Sequence, residues 1–454
     1  MATDITELPI GFINRMKQQL GAESNDFFDA LLRPSPTSIR LNHNKGLSDF
    51  TDLIKVPWCE EGYYLPARPP FYLDPHWHGG AYYVQEASSM ILDYILQNLK
   101  LDDQPRIWLD MCAAPGGKTG ILVKHIKSCD ILIANEVIPQ RKSILRENLI
   151  KGGYLNTFIS SEPSSNFRTS LADIILVDAP CAGEGMMRKE PEAIRQWSEN
   201  LVNDCSILQA KILDDALTGL KDNGYLIYST CSYSEQENID NVVNAIEQFP
   251  VSSVEIQFPE EWKISRIEKQ GAIGYQLYPH RVKGEGLFIA ILKKEKIDIE
   301  TEFERRFKKE ATFFTQMPEW LSDFMSPLNF MVLKNVDSIR FINREAEEKA
   351  TKVLQQIPRA ELITEAGILK SKDFIPNHFL SMSQVYSSSY GNVNLDLSTA
   401  LDYLERSANS LPSQTLTGWT LMSYKGTILG WAKNTSQGWK NYYPLHWRLR
   451  SRHS

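Results

Sequence analysis

The sequence predicts an α/β fold over residues 76–295, in which a mainly parallel sheet is covered by helices on both faces. Short stretches that are apolar throughout alternate there with helical stretches, a pattern typical of strands buried between two helical layers. The strand candidates are residues 106–111, 130–136, 156–161, 173–180 and 224–232. The helical stretches are residues 117–127, 139–150 and about 192–220. Residues 274–280 and 284–294 then predict a hairpin that closes the sheet edge.

Residues 1–75 predict a small mixed domain before this sheet. A helix is expected from Pro9 to Leu20, because proline suits the first helical turn and Gly21 suits the stop. Residues 68–75 are rich in proline and predict a connection to the next domain.

The chain after the sheet predicts two further parts. Residues 296–380 begin with a charged stretch, expected to form a linking helix to about residue 320, and continue into a first C-terminal domain. Residues 381–454 form a second one. Within it, residues 418–434 contain two short strand candidates around a lysine–glycine pair, which predicts a hairpin.

Charge is spread unevenly along the chain. A net charge of −7 on 454 residues argues against a general nucleic-acid binder. After Glu405, however, the sequence contains seven basic residues and no acidic one. Aromatic residues interleave with these cations, a mixture that suits RNA, although some of the rings must lie in a core. They are Trp431, Trp439, Tyr442, Tyr443 and Trp447.

Composition also narrows the class of protein. No apolar run is long enough for a transmembrane helix, and the acidic N-terminal residues do not resemble a signal peptide. The six cysteines include no C-x-x-C pair, so we expect no metal site, and scattered thiols suit a reducing cytosol. We expect a cytoplasmic monomer that does not bind membranes.

The stretch LDMCAAPGGKT, from Leu109 to Thr119, ends like a nucleotide-binding P-loop. A P-loop needs glycine where this chain has Cys112, and Pro115 removes a backbone N–H that would bind phosphate. A Gly116-Gly117 pair is also compatible with a simple tight corner. The remaining interpretation is a cofactor site at the carboxyl end of the first strand, where open α/β sheets bind ligands.

Glu136 ends the second strand, about 20 residues after the loop, and an acidic side chain there can bind both hydroxyls of a ribose. The helix that begins near Gly117 directs free N–H groups at a ligand carboxylate. S-adenosylmethionine contains a ribose and an amino-acid carboxylate, so it fits both features. NAD fits almost as well, and these residues alone leave the cofactor open.

Two later strand ends distinguish the alternatives. VDAPCAGEGMMRKEP (177–191) and STCSYSEQEN (229–238) bring Asp178, Cys181 and Cys231 to the same sheet edge. C5 of cytosine is a poor nucleophile, and a thiolate that adds to C6 makes C5 able to attack a methyl group. A carboxyl group suits the charge that develops at N3 and the exocyclic amine, and a second thiol suits the elimination step. From this chemistry alone the two cysteines are interchangeable.

The three motifs resemble the signature motifs of the NOL/NOP/Sun family of RNA cytosine-5 methyltransferases. YYVQEASSM (82–90) resembles that family's cap over the cofactor, and PHRVKGEGLFIA (279–290) resembles its closing strand. The resemblance covers residues 8 to 295 and implies a Rossmann-like, S-adenosylmethionine-dependent methyltransferase domain. The layout is most similar to bacterial RsmF-type enzymes that act on 16S ribosomal RNA, and residues 426–444 are similar to their PUA-like α+β module. This implies RNA-binding domains at 1–75 and 381–454.

The resemblance implies a role for each matched residue. Cys231 is expected to be the nucleophile, Cys181 to help release the product, and Asp178 to contact N3 and N4 of the cytosine. The expected cofactor-binding residues are Cys112, Ala113, Ala114, Pro115, Gly116, Gly117, Lys118, Glu136, Arg141, Glu162 and Asp178. We expect Arg188 and Lys189 to contact RNA, and one of them, or a helix N-terminus, to lower the pKa of the thiol.

Two positions depart from the family pattern. Ala182 replaces the usual serine after Pro-Cys, and Ser161 or Glu162 stands where the family places Asp or Asn near the adenine. The expected function is formation of 5-methylcytosine in 16S ribosomal RNA of the small subunit. A transfer-RNA substrate remains open. Methylation of an exocyclic amine would leave Cys231 without a role, and the intact Asp178, Cys181 and Cys231 argue against an idle ribosome-assembly factor.

Overall fold

The computed structural model describes residues 4–47, 52–296, 313–326, 329–334, 337–371, 373–383, 385–407 and 417–450. Four sheets organise this part of the chain. They follow one another along the sequence, except that one short C-terminal strand joins the second sheet. Residues 297–312, which contain most of the predicted linking helix, lie outside the described residues.

The N-terminal part combines helices with a four-stranded antiparallel sheet of order β2-β3-β1-β4. Its elements are α1 (Ile10–Leu20), α2 (Ser24–Leu32), β1 (Thr37–Leu41), β2 (Ile54–Lys55), β3 (Gly62–Leu65), α3 (Pro75–His78) and β4 (Tyr82–Val84). Helix α1 begins directly after Pro9 and ends at Gly21, as predicted, and it buries Phe12, Ile13 and Met16. Strand β4 extends this sheet past residue 75, and the division into domains stays a prediction.

The central part is the predicted α/β layer. Its elements are α4 (Ile91–Asn98), β5 (Ile107–Asp110), α5 (Gly117–His125), β6 (Ile131–Asn135), α6 (Pro139–Gly152), β7 (Thr157–Ser160), β8 (Ala172–Asp178), α7 (Pro191–Gln196), α8 (Glu199–Gly219), β9 (Leu220–Thr230), α9 (Ile239–Gln248), β10 (Val251–Ser253), β11 (Ser265–Lys269), β12 (Ala272–Leu277) and β13 (Leu287–Lys294). The sheet order is β11-β12-β13-β9-β8-β5-β6-β7, with β10 beside β13.

Strands β5 to β9 are parallel, and β13 pairs antiparallel with β9 and β12, which confirms the predicted closing hairpin. Every residue of β5 and β6 is buried, because side chains alternate between two cores. Trp108 packs on one face and Leu109 on the other. The helical stretch predicted over about 192–220 is confirmed, but it consists of two helices. The chain breaks after Gln196, and Ser198 caps α8 by accepting a hydrogen bond from the backbone N of Leu201.

The C-terminal part contains β14 (Phe314–Gln316), β15 (Phe330–Leu333), β16 (Ile339–Asn343), α10 (Glu347–Gln356), β17 (Glu361–Leu362), β18 (Glu365–Lys370), β19 (Asp373–Pro376), α11 (His378–Met382), β20 (Gly391–Leu395), α12 (Leu397–Glu405), β21 (Gly418–Tyr424), β22 (Thr427–Thr435) and β23 (Gly438–Asn441). The end of the predicted linking helix is wrong, because Phe314 is buried in a strand that pairs with β15. Strand β17 pairs with β7 and extends the central sheet.

The last sheet has the order β20-β21-β22-β23. Its predicted hairpin is confirmed as β21 and β22, joined by Lys425 and Gly426. Both turn residues have positive φ values, 43° and 83°, which tight hairpin turns require. Within the described ranges, no helix combines the length and the apolar character needed to cross a bilayer.

Candidate active site at the carboxyl edge of the central sheet

The loop between β5 and α5 forms a cradle at the sheet edge. Gly116 has a φ of 110°, a left-handed conformation that favours glycine, and a Cβ atom there would lie 3.3 Å from Leu145. The loop is tied to the next strand, since the backbone N of Ala113 donates to the carbonyl of Asn135 at 2.8 Å. Helix α5 begins at Gly117, so its first N–H groups face the loop.

Asp110 is the last residue of β5, directly before this loop, and it was not among the site residues predicted from the sequence. Its Oδ2 accepts a hydrogen bond from Thr119 Oγ1 at 2.7 Å, whereas its buried Oδ1 accepts none from the described residues. Burial raises the pKa of Asp110 to about 7. A buried acceptor of this kind needs a partner, and the ammonium group of an amino-acid ligand is a suitable one.

Glu136, which follows β6, has the geometry expected of a ribose-binding carboxylate. Only 3% of the residue is exposed, and its Oε1 accepts a hydrogen bond from the backbone N of Ile138 at 2.9 Å. Its Oε2 is buried without a hydrogen-bond donor among the described residues, although Arg141 Nη1 lies 3.4 Å away. An orphaned oxygen at this strand end fits the hydroxyls of S-adenosylmethionine.

Asn135 joins the strand ends that frame the cofactor site, and it too was missed. Its Nδ2 donates to the carbonyls of Met111 and Glu162 at 3.2 and 2.9 Å. Its Oδ1 accepts from Ser160 Oγ at 2.7 Å and from the backbone N of Glu162 at 2.9 Å. A polar residue between an apolar strand and an acidic strand end is the sequence signal that could have identified it.

The structure places the other predicted adenosine-side residues around the same edge. Arg141 donates from Nη2 to the carbonyl of Ala114 at 2.8 Å and so braces the glycine loop. The carboxylate of Glu162 accepts from Asn166 Nδ2 at 2.6 Å, and Ser161 Oγ donates to the carbonyl of Glu136 at 2.8 Å. Which of Ser161 and Glu162 contacts the adenine stays open.

The two cysteines and the acid predicted for catalysis lie together beyond β8 and β9. The sulfur atoms of Cys181 and Cys231 are 3.0 Å apart. Asp178 Oδ1 accepts a hydrogen bond from Ser229 Oγ at 2.8 Å, and Oδ2 forms an ion pair with Lys118 Nζ at 2.8 Å. Lys118 belongs to the glycine loop, so this ion pair joins the predicted cofactor site to the thiols.

The electrostatic surroundings of the two thiols differ. Contact with Cys231 and burial raise the pKa of Cys181 well above its usual range, and the negative charge of Glu237 raises it further. Burial opposes the charge of Lys118, but Asp178 outweighs it and raises the pKa of Lys118, and a negatively charged Cys231 adds to this effect. Lys118 is therefore held as a cation within electrostatic reach of the Cys231 sulfur.

Cys112 has a different environment from these two thiols. Burial, followed by the nearby charges of Asp110 and Asp178, raises the pKa of Cys112 far above its usual range. A thiol held protonated in this way is a poor nucleophile. Cys112 thus suits the lining of the cofactor site.

Glu237 accepts hydrogen bonds from both cysteine loops, and it was not among the predicted site residues. Its Oε1 accepts from the backbone N of Ala182 at 2.8 Å and from Gln209 Nε2 at 3.0 Å. Its Oε2 accepts from Ser232 Oγ at 2.5 Å. Burial raises the pKa of Glu237. The residues that follow each cysteine are thus bound to one carboxylate.

The structure gives Arg188 and Lys189 other partners than the sequence suggested. Arg188 is 7% exposed, burial lowers its pKa, and it donates three hydrogen bonds of 2.9 Å to backbone carbonyls. These carbonyls belong to Arg33, Pro34 and Gly284. Lys189 forms an ion pair with Glu285. Arg188 therefore ties the N-terminal part to the central part, and the cation electrostatically linked to Cys231 is Lys118.

A cleft of about 1250 Å³ lies between the N-terminal part and the loop after Cys181. Arg33, Arg68, Lys189 and Lys283 are among its lining residues, together with acidic side chains such as Asp26 and Asp29. The cleft lining carries charges of both signs, which agrees with the net negative charge of the whole chain. Basic residues occur only in parts of the cleft.

The C-terminal aromatic residues divide into core and surface. Trp431, Tyr443 and Trp447 are buried, so they belong to the core. Tyr442 is 38% exposed, and its ring centroid lies 4.4 Å from that of Trp419. Lys433 Nζ lies 5.2 Å from the Trp419 centroid, so this face combines flat rings with a cation.

One group of side chains has the spacing of metal ligands. The ligand atoms of Cys59, Glu61 and Asp93 lie within 4.8 Å of one another. Lys124 Nζ, however, lies 2.5 Å from Glu61 and 3.0 Å from Asp93, and burial raises the pKa of Cys59 to about 12. A lysine therefore already supplies the positive charge at this group.

Comparison with known proteins gives three family matches, which cover successive parts of the chain. Residues 8–87 match the N-terminal domain of 16S rRNA methyltransferase RsmF, residues 96–293 match 16S rRNA methyltransferase RsmB/F, and residues 390–449 match the methyltransferase RsmF PUA domain. The matches confirm the predicted methyltransferase fold with its N-terminal and PUA-like parts.

Individual proteins agree with these matches. The chain is 31% identical over 305 residues to ribosomal RNA small subunit methyltransferase F of Erwinia tasmaniensis, which is 63% of each chain. The protein of that name in Salmonella agona is 31% identical over 319 residues, 65% of each chain. The matched region thus spans less than two thirds of these relatives. A methyltransferase homolog from Pyrococcus horikoshii superposes with a TM-score of 0.54 at 27% identity, covering 64% of this chain and 99% of that one.

The fold, the three matched regions and the relatives agree with the motifs at the sheet edge. They confirm S-adenosylmethionine as the cofactor, and the orphaned oxygens of Asp110 and Glu136 fit its polar groups. These matches assign residues 96–293 to the RsmB/F family of methyltransferases, with RsmF-type regions on either side.

Proposed function

We propose that the protein forms 5-methylcytosine in 16S ribosomal RNA of the small ribosomal subunit, through a covalent bond between Cys231 and C6 of the cytosine. The observation that carries the proposal is the pair of sulfur atoms, 3.0 Å apart, beside the Asp178–Lys118 ion pair. Methylation at an exocyclic nitrogen uses the lone pair of that nitrogen and gives neither thiol a role. Methylation at C5 needs a thiolate, an acid and a methyl donor in one place.

Bound S-adenosylmethionine supplies an electrophilic methyl group. For its binding, the proposal assigns the methionine end to the loop from Cys112 to Lys118, with Asp110 added. It assigns the ribose to Glu136, whose Oε2 lacks a hydrogen-bond donor among the described side chains and backbone groups. Arg141 holds the loop, and the proposal assigns the adenine to Ser161 or Glu162.

The chemistry assigned to Cys231 conserves atoms and electrons. Its thiolate bonds to C6, and the electron pair of the C5–C6 double bond becomes available at C5, which takes the methyl group. The proton on C5 then leaves to water as the double bond re-forms, the Cys231 sulfur departs with the proton of the Cys181 thiol, and Cys181 regains a proton from water. The Asp178 carboxylate, held by Lys118, accepts a hydrogen bond from the exocyclic amine. As negative charge develops on the ring, N3 takes a proton from solvent through this carboxylate, and the proton returns when the sulfur leaves.

The environments of the two thiols support different roles. Cys181 is held protonated by its neighbour, by burial and by Glu237, which suits a proton carrier in product release. Cys231 lies within electrostatic reach of the Lys118 cation, and the proposal assigns the nucleophile to it. This asymmetry supports the order of roles that the family resemblance implied.

Two surfaces are proposed for RNA. The cleft beside the loop after Cys181 suits a single strand from which the target base enters the site, because a stacked base cannot be reached. The face with Trp419, Lys433 and Tyr442 suits stacking of unpaired bases. A monomer that works in the cytoplasm stays part of this proposal.

The stacking face predicts an effect on binding. Tyr442→Ala should weaken binding of 16S RNA by about tenfold, since stacking on one aromatic side chain contributes about 1–3 kcal/mol per base. Filter binding at several salt concentrations measures this loss. Leu397→Ala serves as the control, because Leu397 is an exposed apolar residue of the same C-terminal module. Equal affinity in Tyr442→Ala and the unchanged protein would remove this face from the proposal.

The product decides between the candidate functions. Small subunits that lack the modification, free 16S RNA and transfer RNA are each incubated with methyl-labelled S-adenosylmethionine, and the nucleosides are separated by chromatography and mass spectrometry. We expect labelled 5-methylcytidine in the small subunit. Label in transfer RNA alone would change the substrate, label at the exocyclic nitrogen would favour amine methylation, and RNA binding without label would favour an assembly factor.

A further inference from the structure

Helix α1 of the N-terminal part contacts the loop that follows Cys231. Arg15 Nη2 donates to Oε1 of Glu184, whose carboxylate has no exposed surface. Gln19 Nε2 donates to the carbonyl of Tyr233 at 3.1 Å. The ring of Phe27, in α2, lies 5.0 Å from the ring of Tyr233 in an edge-to-face arrangement. The N-terminal part therefore forms one wall of the loop that carries the proposed nucleophile.

Glu184 lies in the loop of the other cysteine and binds this one directly. Its Oε2 accepts from the backbone N of Tyr233 at 2.9 Å and from Ser232 Oγ at 3.2 Å. The next residue, Gly185, donates from its backbone N to the carbonyl of Cys231 at 2.7 Å. Three consecutive residues, beginning with Cys231, are thus held by Glu184 and Gly185.

The carboxylate of Glu184 depends on Arg15 for its charge balance. Among the described residues, Arg15 is the cation in ionic contact with it. The guanidinium carbon lies 5.6 Å from the Phe12 centroid and 5.7 Å from that of Trp197, whose Nε1 also donates to Glu184 at 2.8 Å. A buried charge that loses its partner is strongly destabilised. Removing Arg15 would therefore favour a shift of the loop that contains Glu184.

We propose that Arg15 and Glu184 are positioning residues that hold Cys231 in line with the target base, so that helix α1 completes the catalytic centre. This inference rests on the proposed role of Cys231 as the nucleophile. Its consequence differs from RNA binding: displacing a reacting group by about 1 Å lowers the rate by about a hundredfold, even when substrate is saturating.

The test uses the full chain with small subunits that lack the modification and with labelled S-adenosylmethionine. Single-turnover rates are measured at increasing subunit concentration for Arg15→Ala, Arg15→Lys and Glu184→Gln. Glu23→Gln is the matched control, because Glu23 also joins the N-terminal part to the central part, through Arg281 at 2.6 Å and His280 at 3.0 Å. Thermal unfolding of each variant shows whether it is folded.

We expect Arg15→Ala and Glu184→Gln to lower the saturating rate by about tenfold to a hundredfold, with a subunit KM within about threefold of the unchanged protein. Arg15→Lys should recover much of the rate, because it keeps the charge, and Glu23→Gln should leave the rate unchanged. If Arg15→Ala does not fold, Arg15→Lys and Glu184→Gln carry the test through their partial loss of rate.

Three results would overturn the inference: a raised KM with an unchanged saturating rate, no recovery in Arg15→Lys, or an equal loss in Glu23→Gln. Cys231→Ser is measured in parallel. If Cys231→Ser keeps full activity, the proposed nucleophile fails and the inference fails with it. If Cys231→Ser is inactive while Arg15→Ala keeps the normal rate, the inference alone fails.

Discussion

The loops of Cys181 and Cys231 place their sulfur atoms 3.0 Å apart, yet the two loops are held in different ways. Glu237 accepts a hydrogen bond from Ala182, the residue after Cys181. Contact with Cys231 and burial raise the pKa of the Cys181 thiol, and the charge of Glu237 adds to this. Lys118, which is paired with Asp178, lies within electrostatic reach of Cys231. Two chemically identical side chains therefore have different charged neighbours.

This difference teaches how one sheet edge can place two thiols in unlike surroundings. A cation favours a thiolate and an anion favours a thiol, and the low polarity of a buried site strengthens both effects. The strand ends only bring the cysteines together. Residues from other parts of the chain set the surroundings of each thiol.

The largest expected effect is at Cys231. Cys231→Ser should lower methyl transfer by roughly a thousandfold or more, because the variant lacks the nucleophile. Transfer of label from S-adenosylmethionine to the small subunit measures the rate, and denaturing electrophoresis detects protein–RNA adducts, which should be absent. Full activity in this variant would reverse the comparison of the two cysteines.

Cys181→Ser should separate the two roles most clearly. We expect one methyl group to be transferred while product release is blocked, because the proton carrier is missing. Denaturing electrophoresis should then show a stable protein–RNA complex, and the double variant with Cys231→Ser should not form it. Normal turnover without a trapped complex would mean that Cys181 has no part in release.

The smallest of these effects is expected at Lys118. In Lys118→Met the cation that holds the Asp178 carboxylate is lost. The saturating rate of methyl transfer should fall about tenfold, because the carboxylate assigned to the cytosine is no longer fixed in place. Lys118→Arg should keep the rate close to normal.

A matched cation shows whether this effect is specific. Lys189→Met removes a lysine from the loop after Cys181 that is paired with Glu285, and it should leave the saturating rate unchanged. An equal loss in both lysine variants would mean that general charge, and not the ion pair of Lys118 with Asp178, sets the rate.

Much of the candidate site could be predicted because an apolar strand and the residues that follow it can be recognised in a sequence. Asp178, Cys181 and Cys231 follow apolar stretches, and parallel strands bring their carboxyl ends to one edge. Glu136 was predicted for the same reason. Arg188 was expected to contact RNA because it lies in the motif of residues 177–191 that contains Cys181. That motif does not reveal that the N–H groups of Arg188 donate to backbone carbonyls from other parts of the chain.

Residues that act through long-range contacts were missed. Asp110 and Asn135 resemble ordinary strand residues, and their function becomes visible only in the orphaned oxygen of one and the four hydrogen bonds of the other. The break at Gln196 was missed because helical pattern continues on both sides of it. Local pattern carries no information on these contacts.

The sequence by itself determined the α/β fold, the cofactor loop and the meeting of two cysteines at one sheet edge, because apolar alternation and strand order impose them. Only the tertiary structure decided that Lys118 pairs with Asp178 and which carboxylates hold the cysteine loops. Arg15 and Glu184 stand 169 positions apart and meet only because the N-terminal part packs against the sheet edge. Such pairing depends on how whole elements pack, which no short stretch of sequence specifies.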